Sequence, residues 1–591
     1  MRIFGFAVLA LIFIALAVPL AYAQQGHMKL LAVSETEQGL QGGIADLFLE
    51  VKPGTGRVFL ETFPLTKLDT QISTRFAKQI ACDFADVDCS RYDFFYTITA
   101  DSPIIAGPSA GSAIAVLTFS IITGEKIDSK TAITGTINSG GLIGPVGGIK
   151  AKIEAAEKIG MKKVLIPLGE LNGFNDSSNE SLDLDVIRQK SKIEIIEAAT
   201  LDEALLEFTG RRFREQTENL TINENYKDTM RQLAVELCSR STKLSGRVSK
   251  EANSSNITRI RLEQALNLTR QGKDAFEKGH YYSSASFCFG SNVEYSYLAL
   301  NELNMSEAEI KEKINTVLLD INSLEKSAEK RKIKTITDLE AYMVVKERLS
   351  EARDLAKAAE DGMENRDAGV HNLAFAIERF NSAKSWEQFF KGEGKEFNLD
   401  KEKIKDACRV KISEVEERIE YVRLTFPNSI SNTKKELDAA YSDLNNGNYE
   451  LCLFRASKAK ANIDSVLSVF GVELEGVDEV IGRKLKVAER NFVEETDKGV
   501  FPILGYSYLE YANSLRENDP FSALLYSSYA LELGDLDIYF EDKADGRLLH
   551  EDIISKINVS MTMVFSFGIV LGIIISNIAS KRNKKIPKKK K

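Results

Sequence analysis

Two side chains in this 591-residue sequence have the types and surroundings for acyl chemistry. Ser109 lies in Gly107-Pro108-Ser109-Ala110-Gly111, just ahead of the apolar run Ala113 to Ile122, which reads as a buried helix ending near Gly124. A serine there is either an N-cap for the first helical turn or a hydroxyl held where free backbone N–H groups and the positive end of the helix dipole meet a developing oxyanion. Lys152 lies in Ile149-Lys-Ala-Lys-Ile-Glu-Ala-Ala-Glu-Lys-Ile159, a predicted helix closed by Gly160. Its apolar stripe is Ile149, Ile153, Ala156 and Ile159, and Lys152 falls on it. Lys150 instead shares the solvated face with Glu154 and Glu157, where an i,i+4 pair is expected. A desolvated lysine loses affinity for its proton and can serve as a general base near neutral pH. A lysine snorkelling from the edge of the stripe fits the same periodicity.

Other nucleophile–base pairs are hard to assemble. The histidines are His27, His280, His371 and His550, and only His27 borders the segment that holds Ser109. Cys82 and Cys89 are close in sequence and expected to be oxidised. If Ser109 is a nucleophile, lysine is the base this segment best supplies.

The elements that must position these groups follow from glycine and proline usage. Nine glycines fall between Ser102 and Lys150, the mark of tight turns and close backbone approach, whereas no proline occurs from Leu168 to Phe426. That second stretch is rich in Glu, Lys, Ala and Leu, which lose least on entering a helix. The expected fold class is therefore an α/β (α+β) domain over residues 28–208, followed by an all-α domain over 213–556. Within the latter, Gly272 to Phe287, Ala439 to Phe454 and Ala512 to Tyr526 each read as helix, short turn, aromatic residue, helix. Such helical hairpins look like tetratricopeptide-type units that bury a shared face by stacking. Ile314 to Glu364 predicts a helical pair or short coiled coil. This domain is either a docking surface for a protein partner or a structural spacer.

The two ends predict an exported, anchored chain. Residues 1–23 have a positive start, an apolar run and Ala21-Tyr22-Ala23, the pattern of a signal peptide. Residues 559–580 carry no charge and are long enough to cross a bilayer as a transmembrane helix, which takes about 20 residues. Eight Lys/Arg follow in the tail 581–591. The positive-inside bias puts that tail in the cytoplasm and the body outside a cell membrane crossed once. Asn-x-Ser/Thr sequons at Asn175, Asn179, Asn219, Asn253, Asn256, Asn267, Asn304 and Asn558 suit a glycoprotein. Six cysteines allow 15 pairings. Neighbour relations, and the matching places of Cys288 and Cys452 in two hairpins, favour Cys82–Cys89, Cys238–Cys288 and Cys408–Cys452.

Charge excludes one class of function. The net charge is −9, and without Arg2 and the basic tail 68 basic residues face 86 acidic ones. A body this acidic lacks the basic patches that phosphate binding requires, so no nucleic acid partner is expected. Cysteine and histidine spacing matches no zinc site, so no metal is expected either.

Residues Gly107 to Pro167 resemble the proteolytic domain of Lon peptidases, which use a Ser-Lys dyad. The matching pieces are Gly-Pro-Ser-Ala-Gly at 107–111, Thr123-Gly124, Thr134-Gly135, Pro145-Val-Gly-Gly-Ile-Lys-Ala-Lys152 and Lys162-Lys-Val-Leu-Ile-Pro167. Ile193 to Ala204 follows in the same order. The resemblance implies Ser109 as nucleophile, Lys152 as base and Thr134 as the hydroxyl that orients the lysine, with the backbone amides of Ala110 and Gly111 at the oxyanion. Two positions depart from the family. Ala106 stands where an acidic residue is usual, and Thr136 where glutamate often follows Thr-Gly. No G-x-x-x-x-G-K-[ST] phosphate loop is present, so no ATP or other cofactor is expected. The implied activity is ATP-independent serine endopeptidase action on unfolded or extended polypeptides outside the cytoplasmic membrane. Ring-forming relatives imply a homo-oligomer. The rival expectation is an inactive, anchored scaffold that binds partners through its helical repeats.

Overall fold

The computed structural model describes residues 24–540 and residue 572, apart from 37–38, 67, 106–107, 169–183, 215–223, 249–255, 392–393, 426–429 and 470–475. The expected signal peptide, transmembrane helix and basic tail lie outside the described residues, Gly572 excepted. Among the described residues, no helix is long and apolar enough to cross a membrane.

The first part of the chain builds an α/β unit around two sheets. Strands β1 (Gln24–Thr36), β2 (Gly39–Pro53), β3 (Val58–Thr66) and β4 (Tyr92–Ile105) form a four-stranded sheet in the order β1-β2-β4-β3. Alternation sets its faces: Leu47, Leu49 and Val51 are buried, while Phe48 between them is 43% exposed. Helix α1 (Leu68–Phe84) joins β3 to β4, which run parallel. Helix α2 (Gly111–Thr123) follows β4, then β5 (Thr131–Ile133), the short antiparallel pair β6 (Thr136–Ile137) and β7 (Ile143–Gly144), and α3 (Ile149–Lys158). Strands β8 (Lys163–Pro167) and β9 (Glu194–Ala198) complete a parallel three-stranded sheet in the order β5-β8-β9. Helix α4 (Leu184–Lys190) lies between β8 and β9, and α5 (Leu201–Thr209) closes the unit.

Helix α2 is the axis of this unit. Eleven of its 13 residues are buried, so it is apolar all round, as a helix enclosed on every side must be. A buried polar contact joins it to the sheet: Thr118 Oγ1 lies 2.8 Å from the Tyr96 hydroxyl.

The remainder is helical. Helices α6 (Glu224–Ser245), α7 (Asn256–Glu277), α8 (Tyr281–Glu302), α9 (Glu307–Ala328), α10 (Ile336–Asp361) and α11 (Arg366–Trp386) are followed by α12 (Lys401–Thr425), α13 (Ser431–Asn445), α14 (Tyr449–Ser468), α15 (Val477–Asp497), α16 (Ile503–Leu515) and α17 (Pro520–Leu533). The three expected hairpins are α7/α8, α13/α14 and α16/α17, and the charge-rich stretch is the pair α9 and α10. Local sequence sets the starts. Ser306 and Glu309 form a reciprocal capping box at α9, and Asp519 caps α17 with Pro520 in its first turn. Disulfides join Cys82 to Cys89, Cys238 on α6 to Cys288 on α8, and Cys408 on α12 to Cys452 on α14.

The two parts pack against each other. Ile538, in a single turn after α17, is buried in the core of the α/β unit, and Leu142 packs in return on the helical core. Polar contacts surround this exchange: Arg214 to Glu494 at 2.8 Å, Lys498 to Asp83 at 3.5 Å, and Arg418 Nη2 to the Ile137 carbonyl at 3.1 Å.

Candidate active site

Ser109 sits in the one-turn helix Pro108–Ala110 that leads from β4 into α2, and it is partly exposed. Ala110 occupies the N-cap of α2 and makes no side-chain capping bond. The capping alternative for Ser109 therefore fails, because the serine lies one residue outside the cap. Gly111 starts α2, and its close packing explains the residue type: a Cβ there would lie 3.0 Å from the Ile137 amide nitrogen. The amides of Ala110 and Gly111 thus lie at the N-terminus of a buried helix, where backbone donors lack intrahelical acceptors.

The segment after β5 is tied to this turn twice. The Gly135 amide donates to the Ser109 carbonyl at 3.1 Å, and the Ser112 amide donates to the Gly135 carbonyl at 3.0 Å. Thr134, immediately before Gly135, is wholly buried and donates its amide to the Leu165 carbonyl of β8 at 3.0 Å.

Lys152 reaches the same place from α3. Only 2% of it is exposed, and its Nζ donates to Thr134 Oγ1 at 3.0 Å. The snorkelling alternative is excluded by that burial, while Lys150, two residues earlier, is exposed. Gly148 makes this entry possible. It takes φ 70°, in the left-handed region, and a Cβ would press on Val33 Cγ1 at 2.6 Å. One part of the expected stripe is corrected. The helix ends at Lys158, so Ile159 turns away and is 39% exposed, while Ile149, Ile153 and Ala156 are buried.

Sequence reasoning passed over Ser112. Its hydroxyl is fully buried with no hydrogen-bond partner among the described residues, and it faces Gly135, where a Cβ would lie 3.3 Å away. Nothing in the local sequence separates it from the apolar run that it begins.

A second cluster of acidic groups lies between the two parts of the chain. Carboxylate oxygens of Glu495, Asp535 and Asp537 all lie within 4.8 Å of one another. Lys498 already occupies this cluster, 2.7 Å from Glu495. Burial, followed by neighbouring carboxylates, pushes the Asp535 and Asp537 carboxyls well above their ordinary range. Carboxyls that hold their protons more tightly than usual, beside an ammonium already seated among them, oppose the binding of a cation.

With this geometry in hand, the family comparison falls on the same segment. Residues 100–205 match the family described as the Lon protease (S16) C-terminal proteolytic domain. The Lon protease of Methanosphaera stadtmanae is 32% identical over 189 residues, which is 31% of this chain and 22% of that protein. The Lon protease of Paraburkholderia phytofirmans is 32% identical over 168 residues, 27% of this chain and 20% of that protein. Lon protease 2 of Bacillus subtilis is 39% identical over 116 residues, 20% of this chain and 19% of that protein. The chain thus spans about a fifth of the length of these relatives. It carries a Lon-type proteolytic domain joined to a mostly helical remainder.

Proposed function

We propose that the chain is an ATP-independent serine endopeptidase. Ser109 Oγ attacks the scissile carbonyl and passes its proton to neutral Lys152 Nζ, while the amides of Ala110 and Gly111 stabilise the oxyanion. Lys152 returns the proton to the leaving amine, then deprotonates the water that hydrolyses the acyl-enzyme. Thr134 holds the amine on course. Supporting this reading is one observation above all: an almost fully buried lysine amine bonded to a buried hydroxyl, whose next residue is bonded to the backbone of Ser109. Burial weakens a lysine's hold on its proton, as a base at neutral pH requires.

The remaining parts of the proposal rest on the sequence. The catalytic body lies outside a cell membrane crossed once near the C-terminus, and the tail 581–591 is cytoplasmic. Without an ATP-driven unfoldase, substrates are already unfolded or extended polypeptides. The chain works as a homo-oligomer, and its helical domain binds a protein partner. Among the described sequon asparagines, Asn267 and Asn304 are exposed, as glycan attachment requires.

The test is digestion of an unfolded protein without ATP by the full-length chain, beside Ser109→Ala and Lys152→Ala forms. Cleavage by the wild type alone supports the peptidase. No cleavage by any form, or equal cleavage by all three, supports the inactive scaffold, towards which Ala106 and Thr136 point.

A further inference from the structure

The stretch between Thr134 and Lys152 is gripped from outside its own domain. Arg418 on α12 donates through Nη2 to the Ile137 carbonyl at 3.1 Å and to Asn138 Oδ1. Arg490 on α15 donates to the Gly140 carbonyl at 3.2 Å, and the Gly140 amide donates to Asp535 Oδ2 at 3.3 Å. Three residues of the helical domain thus hold both backbone polar groups of Gly140 and the carbonyl of Ile137. All of these anchor points fall within the segment that links the predicted orienting hydroxyl to the helix of the predicted base.

Arg418 is the deepest of these anchors, 3% exposed, and its guanidinium is braced by Asp464 at 3.4 Å. Beside it lies a cavity of about 100 Å³, lined by Thr136, Asn138 and Gly144 on one side and by Arg418, Lys484 and Glu532 on the other. On that side the hairpin β6–β7, itself buried, borders this cavity. Without the arginine it has room to shift, and a small displacement of a catalytic group is enough to cost a large factor in rate.

We infer that Arg418 is a positioning residue for the proposed peptidase: by fixing Ile137 and Asn138 it holds Thr134 and Lys152 in register with Ser109, which makes the helical domain part of the catalytic apparatus rather than a spacer. The inference rests on the peptidase reading, so its test carries one readout that does not depend on cleavage.

Full-length wild type, Arg418→Ala, Arg418→Lys and Arg240→Ala are compared. Arg240 pairs with Glu378 inside the helical domain and serves as a control for general loss of stability. Arg418→Ala is expected to lower kcat about tenfold or more with KM little changed, and Arg418→Lys to recover most of the loss. Hydrogen exchange at the amides of residues 135–144 should quicken in Arg418→Ala and stay at the wild-type rate in Arg240→Ala. Unchanged exchange there, or a kcat loss that Arg240→Ala reproduces, overturns the inference. If wild type cleaves nothing, the peptidase reading fails by itself, and the exchange data still decide whether Arg418 holds this segment.

Discussion

The amine of Lys152 and the hydroxyl of Thr134 lie 3.0 Å apart, both sealed from solvent, although they come from different elements of the α/β unit. Removing the hydroxyl while keeping the shape, as in Thr134→Val, should lower kcat about tenfold to a hundredfold with little change in KM, because the lysine loses its guide and not its substrate. Thr134→Ser should retain most of the activity. Lys152→Arg should be as inactive as Lys152→Ala, since a guanidinium does not release its proton near neutral pH. Steady-state kinetics on an unfolded substrate decide each point.

Glu510 on α16 should give the helical domain a pH-dependent stability. Its carboxylate accepts from the Ser283 amide at 2.9 Å, and burial pushes its pKa up to about 7 from an ordinary 4.5. The folded chain keeps a proton that the unfolded chain releases. This contribution is therefore complete below about pH 4.5 and is lost as pH rises through about 7. Urea midpoints at about pH 5 and about pH 8 should differ more in wild type than in Glu510→Gln. Equal differences would refute the assignment.

Lys484 gives the opposite slope at alkaline pH. Burial lowers its pKa to about 8 from 10.5, and its Nζ donates to Ser528 Oγ at 2.7 Å. Between those values the unfolded chain binds the proton and the folded chain does not, so stability rises with pH across that window. Lys484→Met should flatten the rise in melting temperature over this range.

The bridge between Cys238 and Cys288 closes a sequence separation of 50 residues and ties α6 to α8. The double variant Cys238→Ser, Cys288→Ser should lose about 2–4 kcal/mol, measured by urea denaturation. Gly272 on α7 should be intolerant of alanine while that bridge is intact, since a Cβ would lie 2.7 Å from Cys288 Sγ.

Periodicity and glycine placement carry much of the α/β unit. The burial of Lys152 beside an exposed Lys150 is written in the spacing of Ile149, Ile153 and Ala156. The stop of α2 is written in Gly124, which takes φ 75°. Ile159 misleads because a stripe says which face is apolar but not where the last turn ends. The capping role considered for Ser109 fails for a similar reason, since the register of the first turn is set by packing around Gly111. Arg418, Arg490 and Asp535 carry no local signal. They reach Ile137 and Gly140 across sequence separations of 281, 350 and 395 residues, which only the packing of two domains defines.

The covalent bridges all close within one part of the chain or the other, and none stitches the α/β unit to the helices. Reductant therefore softens each body from inside while leaving the seam between them intact. Salt acts on the seam itself, through the ion pairs of Arg214 with Glu494 and of Lys498 with Asp83. Oxidation state and ionic conditions are thus two separate handles on the same molecule.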